Sequence, residues 1–323
     1  MQNRILTVYG CAPEEEAVFR QMSSRFSVSP LLIREPISQE AIGMAGGSRC
    51  VSVDHKTAVT KPILYALRKA GVQYLSTRSA GMDHIDRESA RALGICVGNV
   101  AYSPDSVAEY TVLLMLMLLR HMPQILQRCA AQDFRLPGRG RELREMTVGI
   151  VGAGRIGRAV IDKLRGFGCR ILAFDRHPQP FPEYAPLEEV LVQSDILSLH
   201  LPLSAETYHF LNADRLRKMK RTALVVNTGR GALIDTKALF HALNEKTIGG
   251  AALDVLEGES GIFYRDCRGK DLQDTWAAKL RAFPHVLVTP HTAYYTGRAL
   301  QDCVENTLIN CLQFGKESEA WIK

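Results

Sequence analysis

The chain has 323 residues, which is too long for one small hydrophobic core and suits two domains of ordinary size. Its 46% hydrophobic and 23% charged residues are typical of a soluble globular protein. The formal net charge of +6 is spread over the whole chain rather than gathered in one block, so it does not predict nucleic-acid binding. We interpret the densest basic cluster, RLPGRGRELR at residues 135–144, as a mobile or subunit-contacting arm.

The eight cysteines include no CxxC pair and no metal-ligand spacing. In a chain of this size they indicate free thiols in a reducing cytoplasm, and we expect no metal site. The N-terminal sequence MQNRILTVYG lacks the apolar stretch and cleavage site of a secretory signal. The longest apolar run, TVLLMLMLL at residues 111–119, is about half as long as a bilayer crossing requires. We therefore expect a cytoplasmic protein without a membrane-spanning segment.

The first hundred residues alternate short apolar runs with amphipathic stretches. The runs are ILTVYG, VSPLLI, CVSVDH, QYLSTRSAG and GICVGNV, and helical patterns such as EEEAVFRQM and KPILYALRKAG lie between them. This alternation predicts a parallel sheet with helices on both faces. The following segment, AYSPDSVAEYTVLLMLMLLRH, predicts a helix that is apolar nearly all round and is buried between domains or subunits. We place the domain boundary there, so that the first domain covers residues 1–101.

The stretch at residues 147–175 organises the rest of the chain. It reads TVGIVGAGRIGRAVIDKLRGFGCRILAFD, which predicts a strand, a glycine-rich turn, a helix and a second strand. Gly152 allows a sharp turn off the first strand, Gly154 removes a side chain where a pyrophosphate approaches, and Gly157 allows helix and strand to pack closely. The N-terminus of the helix directs unpaired backbone N–H groups at the phosphates.

Asp175 predicts which dinucleotide binds. It follows the glycines by about 20 residues, at the end of the second strand, where a carboxylate accepts both hydroxyls of an adenosine ribose. An ionised Asp175 repels the 2′-phosphate of NADP, so NAD is the predicted cofactor. The adjacent Arg176 is the one feature that favours tolerance of NADP. The alternative to a dinucleotide site is a glycine-rich turn with only a structural role. The flanking strand, the helix and Asp175 argue against that alternative.

Beyond this motif, apolar runs again end in polar residues. The runs are SDILSLHLP, ALVVNTGRG, GGAALDVLEGE and HVLVTPH. Ligands of open α/β sheets bind beyond the carboxyl ends of the strands. We therefore predict a second domain at residues 102–293, in which one crevice receives His200, Arg230, Asp254, Glu259 and His291. The last stretch, from about residue 294 to 323, carries a helical pattern that suits a closing helix of the first domain.

Three of these residues are the types that reduction of a 2-oxo acid requires. Arginine has a planar fork that binds a carboxylate with two hydrogen bonds, as Arg230 would. A carboxylate beside a histidine favours the protonated ring, which can donate a proton to a forming alkoxide; Glu259 and His291 would form this pair. Plain alternatives remain for each: an exposed turn arginine, a structural histidine and a solvated loop carboxylate.

Several motifs together resemble the D-isomer-specific 2-hydroxyacid dehydrogenases over nearly the whole chain. They are GAGRIG followed by Asp175, NTGRG, ALDVLEGE, TPHTAYYT, RSAGMDHID and NVAYSPDSVAEY. The resemblance is closest to the D-lactate dehydrogenase branch, including the form associated with glycopeptide (vancomycin) resistance. Other branches carry small residues where this chain has Ala293, Tyr294 and Tyr295, which argues against phosphoglycerate or glyoxylate as substrates.

The resemblance implies two doubly wound parallel-sheet domains, a flavodoxin-like substrate domain and a Rossmann NAD-binding domain, with the active site in the cleft. It implies that residues 294–323 complete the first domain and that the protein is a homodimer. Arg230 would bind the substrate and polarise its carbonyl, His291 would be the acid/base, and Glu259 would be its partner. The implied substrate contacts are Ala80, Gly81, Tyr102, Arg230, His291 and Tyr294. Ala80 is smaller than the aliphatic residue of many lactate enzymes, which leaves room for larger 2-oxo acids.

The cofactor contacts that motif and resemblance together predict form a longer set. They are Gly152, Gly154, Arg155, Ile156, Gly157, Asp175, His200, Leu201, Pro202, Thr207, Asn227, Thr228, Gly229, Arg230 and Asp254.

The leading interpretation is an NAD-dependent D-2-hydroxyacid dehydrogenase that reduces pyruvate to D-lactate. One alternative is an enzyme of the same kind for branched or aromatic 2-oxo acids. Another, from a different class, is an NADH-sensing regulator similar to a corepressor. We expect no nucleic acid or membrane partner. The sequence leaves open the physiological substrate and direction, a role in glycopeptide resistance, the strictness of NAD over NADP, and the oligomeric state.

Overall fold

The computed structural model of the protein describes residues 6–45, 47–178 and 183–320. The chain divides into two compact units, one within Met1–Ser103 and Tyr295–Lys323 and the other within Pro104–Tyr294. The predicted first domain extends to residues 1–5 and 321–323, which lie outside the described residues.

The first unit is built on a parallel sheet whose strands alternate with helices. The strands are β1 (Leu6–Val8), β2 (Leu31–Leu32), β3 (Cys50–Val53), β4 (Tyr74–Thr77) and β5 (Cys96–Asn99), in the order β2-β1-β3-β4-β5. The helices that follow β1, β3 and β4 are α1 (Pro13–Phe26), α2 (Lys61–Lys69) and α3 (Arg87–Ala92). Helix α1 begins with Pro13 at its first turn, where the missing N–H costs nothing, and Glu14 and Glu15 stabilise the positive end of the helix dipole. Each apolar run predicted for this half of the chain contains one of the strands.

The second unit has a larger parallel sheet. Its strands are β6 (Thr147–Val151), β7 (Arg170–Phe174), β8 (Ile196–Leu199), β9 (Leu224–Asn227), β10 (Gly250–Leu253) and β11 (Val286–Val288), in the order β11-β10-β9-β8-β6-β7. Its helices are α4 (Asp105–Leu119), α5 (Met122–Ala130), α6 (Arg155–Arg165), α7 (Leu187–Gln193), α8 (Ala213–Lys218), α9 (Thr236–Asn244) and α10 (Trp276–Arg281). The chain crosses from β7 to β8 over β6, so the strand order reverses at β6 and a crevice opens beyond its carboxyl end. The predicted fold class, two parallel-sheet α/β domains, is confirmed.

Helix α4, which was predicted to be buried between domains or subunits, contributes to the core of the second unit. Its side chains Ala108 and Met115 are fully buried in the second unit's own core, where they join Ile150 of β6 and Ile161 of α6. The helix is apolar on most sides because it covers the sheet and also packs against α6. At 15 residues it does not span a bilayer, and no other helix in the described part of the chain is long and apolar enough to do so.

The last helix, α11 (Gly297–Ala320), closes the first unit. Its side chains Val304 and Leu308 are fully buried against Leu6 of β1 and Phe19 of α1. A side-chain amide of the same helix, Asn306 Nδ2, also donates a hydrogen bond to the carbonyl of residue 101 at 2.7 Å. Segments that lie far apart in the sequence, β1 and α1 on one side and α11 on the other, therefore build the hydrophobic core of the first unit together.

Candidate active site

The carboxyl ends of the second sheet bring the predicted crevice residues to one edge. The backbone N–H of His200, just after β8, donates to the carbonyl of Val151 at 2.7 Å. The N–H of Asp254, just after β10, donates to the carbonyl of Asn227, the last residue of β9, at 3.0 Å. The chain segments after β6, β8, β9 and β10 therefore leave the sheet side by side.

The glycine turn after β6 forms a tight cradle with open space at its centre. Gly152 has a φ of +93°, and a Cβ atom there would lie 2.7 Å from the carbonyl oxygen of His200. At Gly157, a Cβ would lie 2.0 Å from the carbonyl oxygen of Gly152, so only glycine lets α6 start this close to the strand. A Cβ at Gly154 would meet nothing within 4 Å, which leaves room for a phosphate at the start of α6.

Asp175 is held beside this cradle. Its Oδ2 accepts the N–H of Ala153, within the glycine turn, at 2.8 Å, and its Oδ1 accepts the N–H of His177 at 2.9 Å. The two bonds fix the plane of the carboxylate, and each oxygen retains a further lone pair for a ribose hydroxyl. Cradle and carboxylate together fit the pyrophosphate and adenosine ribose of NAD.

The loop after β8, which carries several predicted cofactor contacts, is closed by its own side chains. Thr207 Oγ1 donates to the carbonyl of Pro202 at 2.6 Å and accepts the N–H of Ser204 at 2.8 Å. Leu201 is half-buried at the start of this loop. Within the first turn of α6, Arg155 is exposed and Ile156 is half-buried.

His200 remains neutral at physiological pH. Burial lowers the pKa of its imidazole to about 4, and its Nε2 lies 2.9 Å from Ser198 Oγ. Among the described residues, no group of three or more His, Cys, Asp and Glu side chains is placed to hold a metal ion.

The turn after β9 is shaped by a fully buried amide. Asn227 Oδ1 accepts the N–H of Gly229 at 3.0 Å, and Asn227 Nδ2 donates to the carbonyl of Arg230 at 2.9 Å. The Arg230 side chain donates from Nη1 to the carbonyl of Gly229 at 2.9 Å. Next to this turn, Thr228 Oγ1 lies 2.9 Å from the hydroxyl of Thr111 in α4. The backbone around Arg230 is therefore fixed by side chains of the second unit itself.

His291 and Glu259 lie in direct contact. His291 Nδ1 is 2.7 Å from Glu259 Oε1, and the two side chains are only 15% and 25% exposed. Glu259 also accepts the N–H of Leu256 at 2.8 Å through its second oxygen. His291 has a φ of +52°, a region that non-glycine residues seldom adopt, and its N–H donates to the carbonyl of Asp254 at 2.7 Å. The surrounding contacts thus hold the imidazole in a strained but defined position.

Asp254 organises the segment that carries this histidine. Its carboxylate is fully buried and accepts the hydroxyl of Thr289 at 2.6 Å, the N–H of Thr292 at 2.9 Å and the N–H of Ala293 at 2.8 Å. These donors lie on both sides of His291 in the sequence. A contact between Asp254 and the cofactor remains a prediction, whereas its contacts with residues 289–293 are direct.

Two tyrosines surround His291. The Tyr264 hydroxyl donates to the carbonyl of His291 at 2.8 Å, and the Tyr294 ring lies edge-on to the imidazole with 6.2 Å between centroids. Burial, followed by the neighbouring Tyr294 and Glu259, raises the pKa of Tyr264, which therefore stays protonated as a donor. The contact of Tyr264 with His291 could not be predicted from the sequence, because the single tyrosine in GIFYRD is part of no periodic pattern and no motif.

The other predicted substrate contacts belong to the first unit. The turn after β4 is held by Asn99 Nδ2, which donates to the carbonyl of Ala80 at 2.6 Å, and by Ser79 Oγ, which donates to that of Gly81 at 2.7 Å. Tyr102 is half-buried. Arg78, between β4 and this turn, was not predicted from the sequence. Its guanidinium is buried and pairs with Glu15 at 2.7 Å.

Comparison with known proteins relates this architecture to one enzyme family. Residues 112–293 match the model of the D-isomer specific 2-hydroxyacid dehydrogenase NAD binding domain. The chain is 47% identical over 320 residues to a D-specific alpha-keto acid dehydrogenase from Enterococcus faecium, covering 99% of each chain. Among solved structures, D-2-hydroxyisocaproate dehydrogenase has a TM-score of 0.87 at 29% identity, with 97% of each chain covered. A D-lactate dehydrogenase from Sporolactobacillus sp has a TM-score of 0.79 at 37% identity, with 95% of each covered.

The family model covers the glycine turn, Asp175, Arg230, Glu259 and His291. The full-length relatives extend the match over both units. The chain therefore belongs to the D-isomer specific 2-hydroxyacid dehydrogenases, a family of oxidoreductases, and its second unit contains that family's NAD binding domain.

Proposed function

We propose that this dehydrogenase reduces pyruvate to D-lactate, with His291 as the proton donor, Glu259 as its partner and Arg230 as the group that binds the substrate. The observation that carries the proposal is the 2.7 Å contact between His291 Nδ1 and Glu259 Oε1 at the carboxyl edge of the sheet. NADH, when bound, supplies the hydride. The glycine cradle and Asp175 would hold its pyrophosphate and adenosine ribose.

His291 transfers the proton through one defined nitrogen. Since Nδ1 lies against Glu259, Nε2 is the atom that exchanges a proton with the substrate oxygen. The Glu259 carboxylate stabilises positive charge on the ring before the reaction, and the ring then protonates the forming alkoxide. In the oxidation of the hydroxy acid, the same nitrogen takes the proton back.

Arg230 supplies a positive charge for substrate binding. Its guanidinium can bind the substrate carboxylate and polarise the carbonyl group. This polarisation makes the carbonyl carbon a better acceptor of the hydride. The bond from Arg230 Nη1 to the Gly229 carbonyl limits where the planar fork can point. Arginine is therefore better suited to this position than lysine, whose ammonium lacks a planar fork.

A second candidate substrate class is the larger 2-oxo acids with branched or aromatic side chains. Ala80 is exposed and carries only a methyl group, which would leave room beside a substrate bound to the turn after β4. Replacing Ala80 with Leu should then reduce kcat/KM for a branched 2-oxo acid at least tenfold more than for pyruvate, about the discrimination that a few methylene groups provide. Equal losses for both substrates would remove this candidate.

The main experiment is a comparison of His291→Gln with His285→Gln. We expect His291→Gln to lower kcat with pyruvate about 100-fold or more, the usual scale for a lost acid/base, without weakening NADH binding measured by fluorescence. His285 is a matched control because it lies at the start of β11, at the opposite end of the sheet from His291. Near-normal turnover of His291→Gln would exclude His291 as the proton donor.

The same assay tests whether the protein is an NADH-sensing regulator. Wild-type protein is offered pyruvate, branched and aromatic 2-oxo acids with NADH, and the configuration of each hydroxy acid product is determined. The proposal requires turnover and a D product. Binding of NADH without turnover of any 2-oxo acid would favour the sensor.

A cytoplasmic homodimer completes the proposal. Large apolar side chains are exposed on α5 and the segment after it: Leu126 is 55% exposed, Phe134 76% and Leu136 91%. Side chains of this size are seldom left in water together unless a partner covers them. A second copy of the chain is the partner we propose. The eight free cysteines support a reducing compartment.

A further inference from the structure

An exposed ion pair bridges the glycine turn. Arg176 follows Asp175 at the end of β7, and its Nη1 donates to Oε2 of Glu206, in the loop after β8. Strands β7 and β8 lie on the two sides of β6 in the sheet. The pair therefore joins the two segments that flank the turn after β6, where the adenosine half of the cofactor is proposed to bind.

The charges in this pair bear on the choice between NAD and NADP. The two cofactors differ only by a phosphate on the 2′-hydroxyl of the adenosine ribose, and an arginine next to the ribose carboxylate is a means of binding that phosphate. Arg176 stands in the right place in the sequence for this role. In the structure, however, its guanidinium is bound to Glu206, while the carboxylate of Asp175 faces the glycine turn through Ala153. The cation that follows Asp175 in the sequence is thus paired with a different carboxylate, that of Glu206.

We infer that Glu206 is a specificity-determining residue: it holds the Arg176 guanidinium in an ion pair and so denies that cation to the 2′-phosphate of NADP. This inference rests on the proposed adenosine site at Asp175. Arg176 therefore does not favour NADP as its sequence position suggested, because its charge is neutralised by a residue 30 positions away. Glu206 acts on the cofactor only through Arg176.

The size of the effect follows from the exposure of the pair. Arg176 is 59% and Glu206 69% exposed, and water screens an ion pair of this kind strongly. Removing the Glu206 charge should therefore improve binding of a 2′-phosphorylated ligand only about fivefold, the upper range for one exposed pair. The gain should shrink as the salt concentration rises, because the attraction between Arg176 and the 2′-phosphate is electrostatic.

The test is calorimetric binding of adenosine 2′,5′-bisphosphate and of 5′-AMP, which needs neither substrate nor turnover. The proteins are wild type, Glu206→Gln, Arg176→Gln and the double variant. We expect Glu206→Gln to bind the bisphosphate about fivefold more tightly than wild type and 5′-AMP with unchanged affinity. The gain should vanish in the double variant, because Arg176 is the cation that Glu206→Gln releases.

Glu188→Gln is the matched control. Glu188 is an exposed glutamate on α7 that pairs with Lys218 at 2.8 Å, so its replacement removes the same charge from the same unit. It should leave the affinity for both ligands unchanged. An unchanged bisphosphate affinity in Glu206→Gln, or a gain that persists in the double variant, would overturn the inference. If wild type fails to bind 5′-AMP, the adenosine site itself is wrong, which is a distinct result.

Discussion

Glu257 and Glu259 lie two residues apart in the sequence, and each contacts a different histidine. Glu257 Oε1 is 2.7 Å from His209 Nε2, in the segment after β8, whereas Glu259 Oε1 is 2.7 Å from His291 Nδ1, after β11. The second oxygen of Glu257 accepts the N–H of Thr236, at the start of α9. One short turn after β10 therefore connects three segments, and only one of its two glutamates contacts the proposed proton donor.

Replacing Glu259 with Gln should lower kcat with pyruvate about 100-fold, because the amide keeps the shape of the side chain but not the negative charge that stabilises the protonated imidazole. Affinity for NADH should change little. Stopped-flow reduction of pyruvate, together with a fluorescence titration of NADH, measures the two quantities separately.

Glu257→Gln is the comparison for this result. It changes a His–Glu pair of the same length that lies away from His291. We expect kcat to stay within about threefold of wild type, since the loss of the Glu257 charge can affect the reaction only through the turn after β10. Equal losses in the two variants would mean that Glu259 stabilises the turn rather than the charge on His291.

Asp254→Asn should destabilise the protein and misplace His291. Asp254 accepts three hydrogen bonds from residues 289–293, and an amide nitrogen in its place would face an N–H or O–H donor. One such buried mismatch costs about 2 kcal/mol. In a unit of this size, we expect Tm to fall by about 5 °C, with a fall in kcat. Calorimetry measures the first effect, and a full loss of activity without any change in Tm would contradict the structural role.

The buried imidazole of His200 should make the folded protein less stable in mild acid. The pKa of its imidazole is lowered to about 4 in the folded protein, against an ordinary value of 6.5. Above pH 6.5 this imidazole is neutral in both the folded and the unfolded chain. Between pH 6.5 and 4 it takes up a proton only in the unfolded chain, so the free energy of unfolding falls as the pH falls. At pH 5 this group alone should cost about 2 kcal/mol, or about 5 °C in Tm. The fall in Tm from pH 7 to pH 5 should be smaller by that amount in His200→Gln, and an identical fall would contradict the prediction.

The proposed dimer is tested by placing charge on its apolar surface. Phe134→Asp combined with Leu136→Asp should prevent association, because both side chains are more than three-quarters exposed in the single chain and would be buried against a partner. Light scattering should report the chain mass of 35.9 kDa for this variant and twice that mass for wild type. Tyr65→Asp is the control, since Tyr65 is 59% exposed on α2. A wild-type protein that is already monomeric would exclude the proposal.

The sheets and the cofactor cradle could be predicted because their causes lie in adjacent residues. Strands of parallel sheets are buried on both faces and therefore appear as apolar runs, as in Thr147–Val151. The spacing of Gly152, Gly154 and Gly157 follows from one turn and the start of one helix. The polar ends of the runs also predicted which residues lie at one edge of the sheet, because the carboxyl ends of parallel strands meet there.

Apart from the Glu259–His291 pair, which the chemistry of the two residue types indicated, the contacts between distant segments could not be predicted from the sequence. The link between Asp254 and residues 289–293 depends on β10 and β11 being neighbours, and the pairing of Arg176 with Glu206 depends on β6 lying between β7 and β8. Tyr264 has a φ of +63°, which no local pattern indicated. The apolar helix α4 was correctly identified as buried, but its composition does not say against which surface.

The dependence of the first unit on α11 has a consequence for biosynthesis. Leu6 and Phe19 leave the ribosome well before Val304 and Leu308, which cover them and lie about 300 residues further along the chain. The second unit is continuous in sequence and can acquire its structure while translation continues. The apolar face of the first unit's sheet stays uncovered until α11 has been synthesised, and exposed apolar surface of this kind in a nascent chain is a binding site for chaperones.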